Sequence, residues 1–285
     1  MTENISTRLK MKDDIMFKAF FSRKENKGFL EEFISSVIGK KIKIKEVKHD
    51  VRLEQLARED KYGILDIDVK LENEGEINIE MQLRDNKNIE KRTTFYASKK
   101  IAEQQGIGKM YKGLKKVIVI AILDYTFIDL PEYLTKTVRV VESHKNYKVN
   151  NIVEYYYIEL DKFRKQNPDM NEPLNQWLAF IDGERKEWIE MAKKNNKSVE
   201  KAEENYNILS GDDEIKRLAE IRMLSAMEEH SALEAAKEKG IEKGIEKGKN
   251  QEKIKNIKKM LELNIPIKQI AEITELTIED IKKIK

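Results

Sequence analysis

The sequence predicts an α/β protein, a strand-and-helix core followed by a mainly α-helical C-terminal region. Three observations carry that expectation. The stretches "ILDIDVKLE" (64–72) and "INIEMQLRD" (77–85) alternate apolar and polar residues with period two, as half-buried strands do. "KKVIVIAILD" (115–124) is continuously apolar and β-branched, as a strand covered on both faces would be. Helical periodicity precedes these runs, separates them, and dominates from Glu172 onward.

In order, "KDDIMFKAFFSRKENKGFLEEFISSVIGKK" (12–41) reads as helix in one or two pieces. Asp13 or Asp14 can cap its start and Gly39 can close its end. Phe17, Phe20 and Phe21, then Phe29, Leu30, Phe33, Ile34, Val37 and Ile38, recur at helical spacing. "KIKIKEVKHDVRL" (41–53) reads as a strand. The two alternating runs follow, separated by "NEG" (73–75), a hairpin signal in which Gly75 is free to turn left-handed. "NIEKRTTFYASKKIAEQQ" (88–105) is then helical, and "IVEYYYIEL" (152–160) is a further strand. Helix, strand, hairpin, helix and strand in that order make an α/β sandwich over about residues 10–160.

The tail repeats. "KGIEKGIEKGK" (239–249) sets Gly240, Gly244 and Gly248 four apart, on one face if helical. Each glycine costs a helix about 1 kcal/mol, so a soft charged linker competes with a groove for close helix contact. "NIPIKQIAEITELTIEDIKKIK" (264–285) then holds two short helical runs, the second opened by Thr277 with Glu279 and Asp280 in its first turn. This resembles a small helix-turn-helix, or a helical hairpin that packs on the tail or pairs subunits.

Composition narrows the chemistry. The 285 residues are 40% hydrophobic and 38% charged, yet 55 Lys+Arg against 52 Asp+Glu leave a net charge of only +3, so a polyanion partner must be sought in local charge. Cysteine is absent, which excludes disulfides, thiol catalysis and zinc–cysteine sites. The N-terminus is polar and is no signal peptide, and the longest apolar run, 117–123, is too short for a bilayer. A cytoplasmic protein is expected. The three histidines are scattered, no glycine-rich phosphate loop is present, and Trp177 and Trp188 read as packing residues.

The wet face of the hairpin holds the candidate chemistry. A loop of residues 73–75 would set Asp66 opposite Gln82 and Asp68 opposite Glu80, all four on one face. Cross-strand Cβ atoms stand about 4.5–5.5 Å apart, so an Asp and a Glu there can share one divalent cation. Mg²⁺ suits such a site, since it takes one or two carboxylates plus phosphate oxygens. Removing one acid from a cluster of like charges is expected to leave the fold stable.

These residues also carry a resemblance. "DDIMFKAFF", "GILDIDV" around Asp66, "NIEMQ" around Glu80 and Gln82, "KRTTFYASK", "GIGKMYKGLKKVIVIAIL" and the glycine-repeat tail occur in the order seen in the recombination-promoting nuclease (Rpn) family, also called PD-(D/E)XK nuclease family transposases. The chain resembles that family over most of its length, least distinctly in 160–235. The resemblance implies a PD-(D/E)XK restriction-endonuclease-like core and a metal-dependent endonuclease that cuts double-stranded DNA and promotes recombination or transposition. It implies Asp66 and Glu80 as metal ligands, with Mg²⁺ or another divalent cation, and Gln82 at the position the wider superfamily usually gives to Lys. Glu31 or Glu32, on the preceding helix, is a further candidate ligand. Three regions are expected: a nuclease core at 1–160, a helical region at 161–238, and a glycine-repeat linker with a small terminal helical module at 239–285.

DNA needs a basic surface. Residues 87–116 hold nine Lys or Arg against two Glu: Lys87, Lys91, Arg92, Lys99, Lys100, Lys109, Lys112, Lys115 and Lys116. No aromatic interleaving or base-reading motif is evident there, so no sequence specificity is expected. The alternative to an enzyme is a non-catalytic DNA-binding or helical assembly protein that keeps the fold. The expected partners are double-stranded DNA and, through the C-terminal region, a second copy of the chain; no membrane partner is expected.

Overall fold

The computed structural model describes residues 9–48, 66–72, 75–104, 111–149 and 152–284, with Lys48, Asp66 and several residues of 219–230 described in their backbone alone. By contacts the chain falls into two units, residues 1–221 and 222–285.

The first unit opens with helices α1 (Asp14–Phe21) and α2 (Lys27–Ile38). Gly39 stops α2 in the left-handed conformation at φ 73°, as its place predicts, and its N–H reaches the Ser35 carbonyl. Strands β1 (Ile44–Lys48), β2 (Asp66–Leu71) and β3 (Glu76–Gln82) pair antiparallel. Helix α3 (Ile89–Gln104) then carries the chain to β4 (Val117–Leu123), parallel to β3 and buried at every residue. β5 (Leu134–Thr137), the hairpin β6 (Val140–Val141) with β7 (His144–Lys148), and β8 (Val153–Glu159) follow. The main sheet runs β1-β2-β3-β4-β8-β5.

Strands β5 to β7 were not expected. β7 is exposed at every residue and shows no dry face, β6 is only two residues long, and β5, four residues long and half-buried at three of them, is an edge strand antiparallel to β8.

Alternation sorts the sheet into two faces. Ile67, Val69, Ile77, Ile79, Met81, Ile118, Ile120, Ile122, Tyr156 and Ile158 join a core with α1, α2 and three later helices: α5 (Pro173–Asp182), α6 (Lys186–Asn195) and α7 (Lys197–Ser210). Trp177 and Trp188 lie in that core, as expected of packing residues. The short helix α4 (Leu160–Lys165) adds Leu160 and Phe163. The opposite face is covered by α3, whose Ile89 and Ala97 pack over Val117, Val119, Ala121, Leu123 and Tyr157.

The hairpin register differs from expectation. Leu71 N–H bonds to the Gly75 carbonyl, so the loop starts one residue earlier. Asp66 therefore pairs with Glu80, not Gln82, and Asp68 with Asn78, not Glu80. The cause lies outside the hairpin. Gly75, at φ 86°, lies against β4's approach, where a Cβ would stand 2.1 Å from the Lys116 carbonyl oxygen. The next residue, Glu76, gives its N–H to that same oxygen at 2.9 Å. Glycine is needed there for close approach.

Helix α8 (Asp213–Glu262) is continuous through Gly240, Gly244 and Gly248. The repeat is thus helical, with its three glycines on one face. In the second unit, Ile257 near the end of α8, Ile270 of α9 (Ile267–Thr274) and Ile281 of α10 (Ile278–Ile284) close a small core. Thr277 starts α10 as its pattern predicts, its hydroxyl accepting the Asp280 N–H at 3.2 Å. Among the described residues no helix is long and apolar enough to cross a membrane.

Candidate active site

Strand alternation puts Asp68, Asn78, Glu80 and Gln82 on the α3 face of the sheet, since their neighbours Ile67, Ile77, Ile79 and Met81 fill the opposite core. α3 is amphipathic in an unusual way. Its sheet-facing stripe runs Ile89, Arg92 and Thr93, Tyr96 and Ala97, then Lys100, so cations interrupt an apolar ridge. Thr93 fixes the ridge, its hydroxyl meeting the Ile89 carbonyl at 2.9 Å and the Tyr157 hydroxyl at 3.2 Å.

Those cations meet the sheet's acids. Glu80, only 1% exposed, takes an ion pair from Arg92 and a hydrogen bond from Gln82 Nε2 at 2.9 Å, both on Oε1. Its other oxygen, Oε2, is buried and has no hydrogen-bond partner among the described residues. Burial pushes the Glu80 carboxyl above its usual range, against the opposing pull of Arg92 and Gln82. One step along β2, Asp68 holds the Lys100 ammonium and accepts from Asn78 Nδ2 at 3.1 Å. Burial works against that ammonium, but Asp68 holds its pKa above the ordinary value. Tyr125, past the end of β4, is pushed up to about 12, first by burial and then by the carboxylates of Asp85 and Glu80.

The backbone register brings Asp66 directly across from Glu80, and directly paired residues share a face. The Asp66 side chain and all of Lys109 lie outside the described residues. Glu31 and Glu32 do not join this face. Glu31 accepts the Ile44 N–H at 2.8 Å and Lys43 Nζ at 3.1 Å, tying α2 to β1, and Glu32 accepts from the Ser198 hydroxyl at 2.6 Å. Both sit on α2, packed on the other side of the sheet. Among the described residues no group of three or more His, Cys, Asp or Glu side chains is placed to hold a metal ion.

The nine cations of 87–116 divide. Lys87, Lys91, Lys99, Lys112 and Lys115 are exposed. Arg92, Lys100 and Lys116 are committed to Glu80, Asp68 and Glu154 respectively. The signal for this division was present in the sequence: a cation within the buried stripe of an amphipathic helix needs an acid across from it. An aromatic does stand among the exposed lysines, because Phe95 lies on the outer surface of α3 between Lys91 and Lys99.

A sequence profile described as PD-(D/E)XK nuclease family transposase matches residues 11–236, which include β2, β3, α3 and every residue of this site. No curated protein and no solved structure matches the chain significantly.

Proposed function

The chain belongs to the PD-(D/E)XK nuclease family transposases, and on that premise we propose that it is a divalent-metal-dependent endonuclease that hydrolyses phosphodiester bonds in double-stranded DNA. The observation that supports this reading is the buried, unpartnered Oε2 of Glu80 on the strand face shared with Asp66. A buried carboxylate oxygen without a partner is costly unless something binds it. A hard cation fits that oxygen, and Asp66 and Glu80 would hold it, with Mg²⁺ the natural choice. When bound, such a cation lowers the pKa of a water and offsets charge on the phosphate under attack.

The chain's own groups have distinct roles in this proposal. Gln82 donates to Glu80 Oε1 and fixes the carboxylate's rotation. An amide cannot accept a proton at neutral pH as a neutral amine could, so Gln82 orients and does not act as a base. Arg92 opposes the desolvation that pushes the Glu80 carboxyl up, and so favours its ionised form. The exposed lysines of 87–116 take the phosphates flanking the cut. Cytoplasmic location, a role in recombination or transposition, and self-association through the C-terminal helices belong to the same proposal.

A second reading keeps the fold without the chemistry, as a DNA-binding or helical assembly protein. It draws on Arg92, which already neutralises Glu80. One assay separates the two. Supercoiled plasmid incubated with the wild-type protein should be nicked or linearised with Mg²⁺ and stay intact in EDTA, and Asp66→Ala should be inactive in both. DNA that is bound but never cut would leave the second reading.

A further inference from the structure

The outer surface of α3 carries Lys91, Phe95 and Lys99 at four-residue spacing, hence in one line along the helix. Phe95 is 64% exposed. A single exposed aromatic is ordinary and means little by itself. Two features set this one apart. Lys91 and Lys99 stand one turn to either side, both exposed, and neither pairs with a carboxylate among the described residues. The ring is also joined to the candidate site by contact. Phe95 meets the Tyr96 ring edge-on at 5.9 Å. The Arg92 guanidinium lies 5.8 Å from that Tyr96 ring and pairs with Glu80. A chain of touching groups thus runs from the surface ring to the buried carboxylate.

We propose that Phe95 is a stacking platform for an unpaired nucleobase, with Lys91 and Lys99 holding the phosphates on either side. The preferred substrate is then DNA carrying an unpaired or extruded base beside the scissile bond. This rests on the nuclease reading and names the substrate class within it. The two lysines call for a polyanion, and the ring decides its form. In an intact duplex the base faces are stacked on one another and the outside offers sugar and phosphate, so an apolar ring there gains nothing. An unpaired base offers its face, and a ring without donors or acceptors takes any base equally. The inference therefore predicts structure selectivity without sequence selectivity.

The test uses the full chain in EDTA, where cutting is suppressed, and reads fluorescence anisotropy of three labelled DNAs. These are a fully paired duplex, the same duplex with a single-nucleotide bulge, and a single strand. Wild type should bind the bulged duplex about tenfold more tightly than the paired one, in line with the usual effect of one base stack. Phe95→Ala should remove most of that preference, whereas Phe95→Trp should keep it and quench 2-aminopurine placed in the bulge. Tyr147→Ala, another exposed aromatic at 67%, should leave the preference unchanged and serves as the control. Melting curves matching wild type would show that each variant folds. Equal wild-type binding to paired and bulged DNA, or a Phe95→Ala loss equal on both, overturns the stacking proposal while leaving the nuclease reading standing. Absence of binding to all three DNAs overturns both.

Discussion

Arg92 and Glu80 form an ion pair between a helix and a strand with almost no solvent around the carboxylate. The pair is twelve residues apart in the chain and spans two layers of the fold. Its geometry is one-sided. Arg92 and Gln82 both take Oε1, and Oε2 remains open. A carboxylate so arranged is anchored through one oxygen while the other is left to bind.

Replacing Glu80 should therefore cost stability as well as activity, contrary to what a cluster of like charges would give. Glu80→Ala strands the Arg92 charge in a buried site, a loss of about 3 kcal/mol. The double variant Glu80→Ala with Arg92→Met removes both charges and should recover most of it. Urea unfolding of the four members of this cycle measures the coupling; a neutral single variant would mean that the pair is not formed in solution.

Arg92 should also set the pH dependence of cutting. It lowers the Glu80 pKa, and burial raises it. In Arg92→Met only the Gln82 hydrogen bond still opposes burial, so the carboxylate form appears at higher pH. The acidic limb of the rate profile should move to higher pH, with activity partly regained in alkaline buffer. A profile that falls uniformly at every pH would assign Arg92 to phosphate binding instead.

The exposed and committed lysines should separate in a salt titration. Lys91, Lys99, Lys112 and Lys115 changed together to Gln should reduce the slope of log affinity against log salt by up to about 3–4, at about 0.9 per phosphate contact. Lys100→Gln should leave the slope near wild type and lower the melting temperature, because its charge already answers Asp68. A slope unchanged by the fourfold variant would move the DNA surface elsewhere, with the terminal helices next to be examined.

Acid should loosen the N-terminal segment through Glu184, which Lys10 and Lys12 hold down to about 2 from 4.5. A depressed carboxylate stabilises fully above its unfolded value and loses that contribution as pH falls from about 4.5 toward 2. With the group 34% exposed, screening leaves about 1 kcal/mol. Glu184→Gln should be less stable than wild type at pH 7, the two converging near pH 2.

Gly75→Ala should be the most damaging small substitution in the hairpin. The new Cβ would meet backbone 2.1 Å away, at a φ of 86° that side chains avoid. A loss of at least about 2 kcal/mol is expected in thermal or urea unfolding.

The sheet's centre was legible because burial leaves a period. β2 and β3 alternate, and β4 is apolar throughout. β7 lacks that mark, since a strand with no dry face looks like loop, and β5 is too short at four residues to show a period. The face carrying Glu80 and Gln82 could be read from the same alternation, because a register slip of two residues preserves faces. The partners could not. Whether Asp66 meets Glu80 or Gln82 depends on Gly75 docking against Lys116, and whether Arg92 serves DNA or Glu80 depends on how α3 lies on the sheet. Both are contacts between separate elements: the pattern of α3 says that a cation in its buried stripe needs an acid, but not which one.

The contact of Gly75 and Glu76 with the Lys116 carbonyl has a kinetic meaning too. A hairpin is ordinarily the fastest piece of a sheet to form, because its ends are neighbours. Here the turn that sets the register is completed by a strand some forty residues downstream, after a helical crossover. Before β4 arrives, a register two residues away keeps the same residues dry and competes with the native one. Committing to the Asp66–Glu80 pairing is thus expected to be a late, non-local event, coupled to closure of the parallel β3–β4 ladder. A peptide of residues 64–85 alone should sample both pairings, and the chain would acquire its facing acids only when the middle of the sheet condenses.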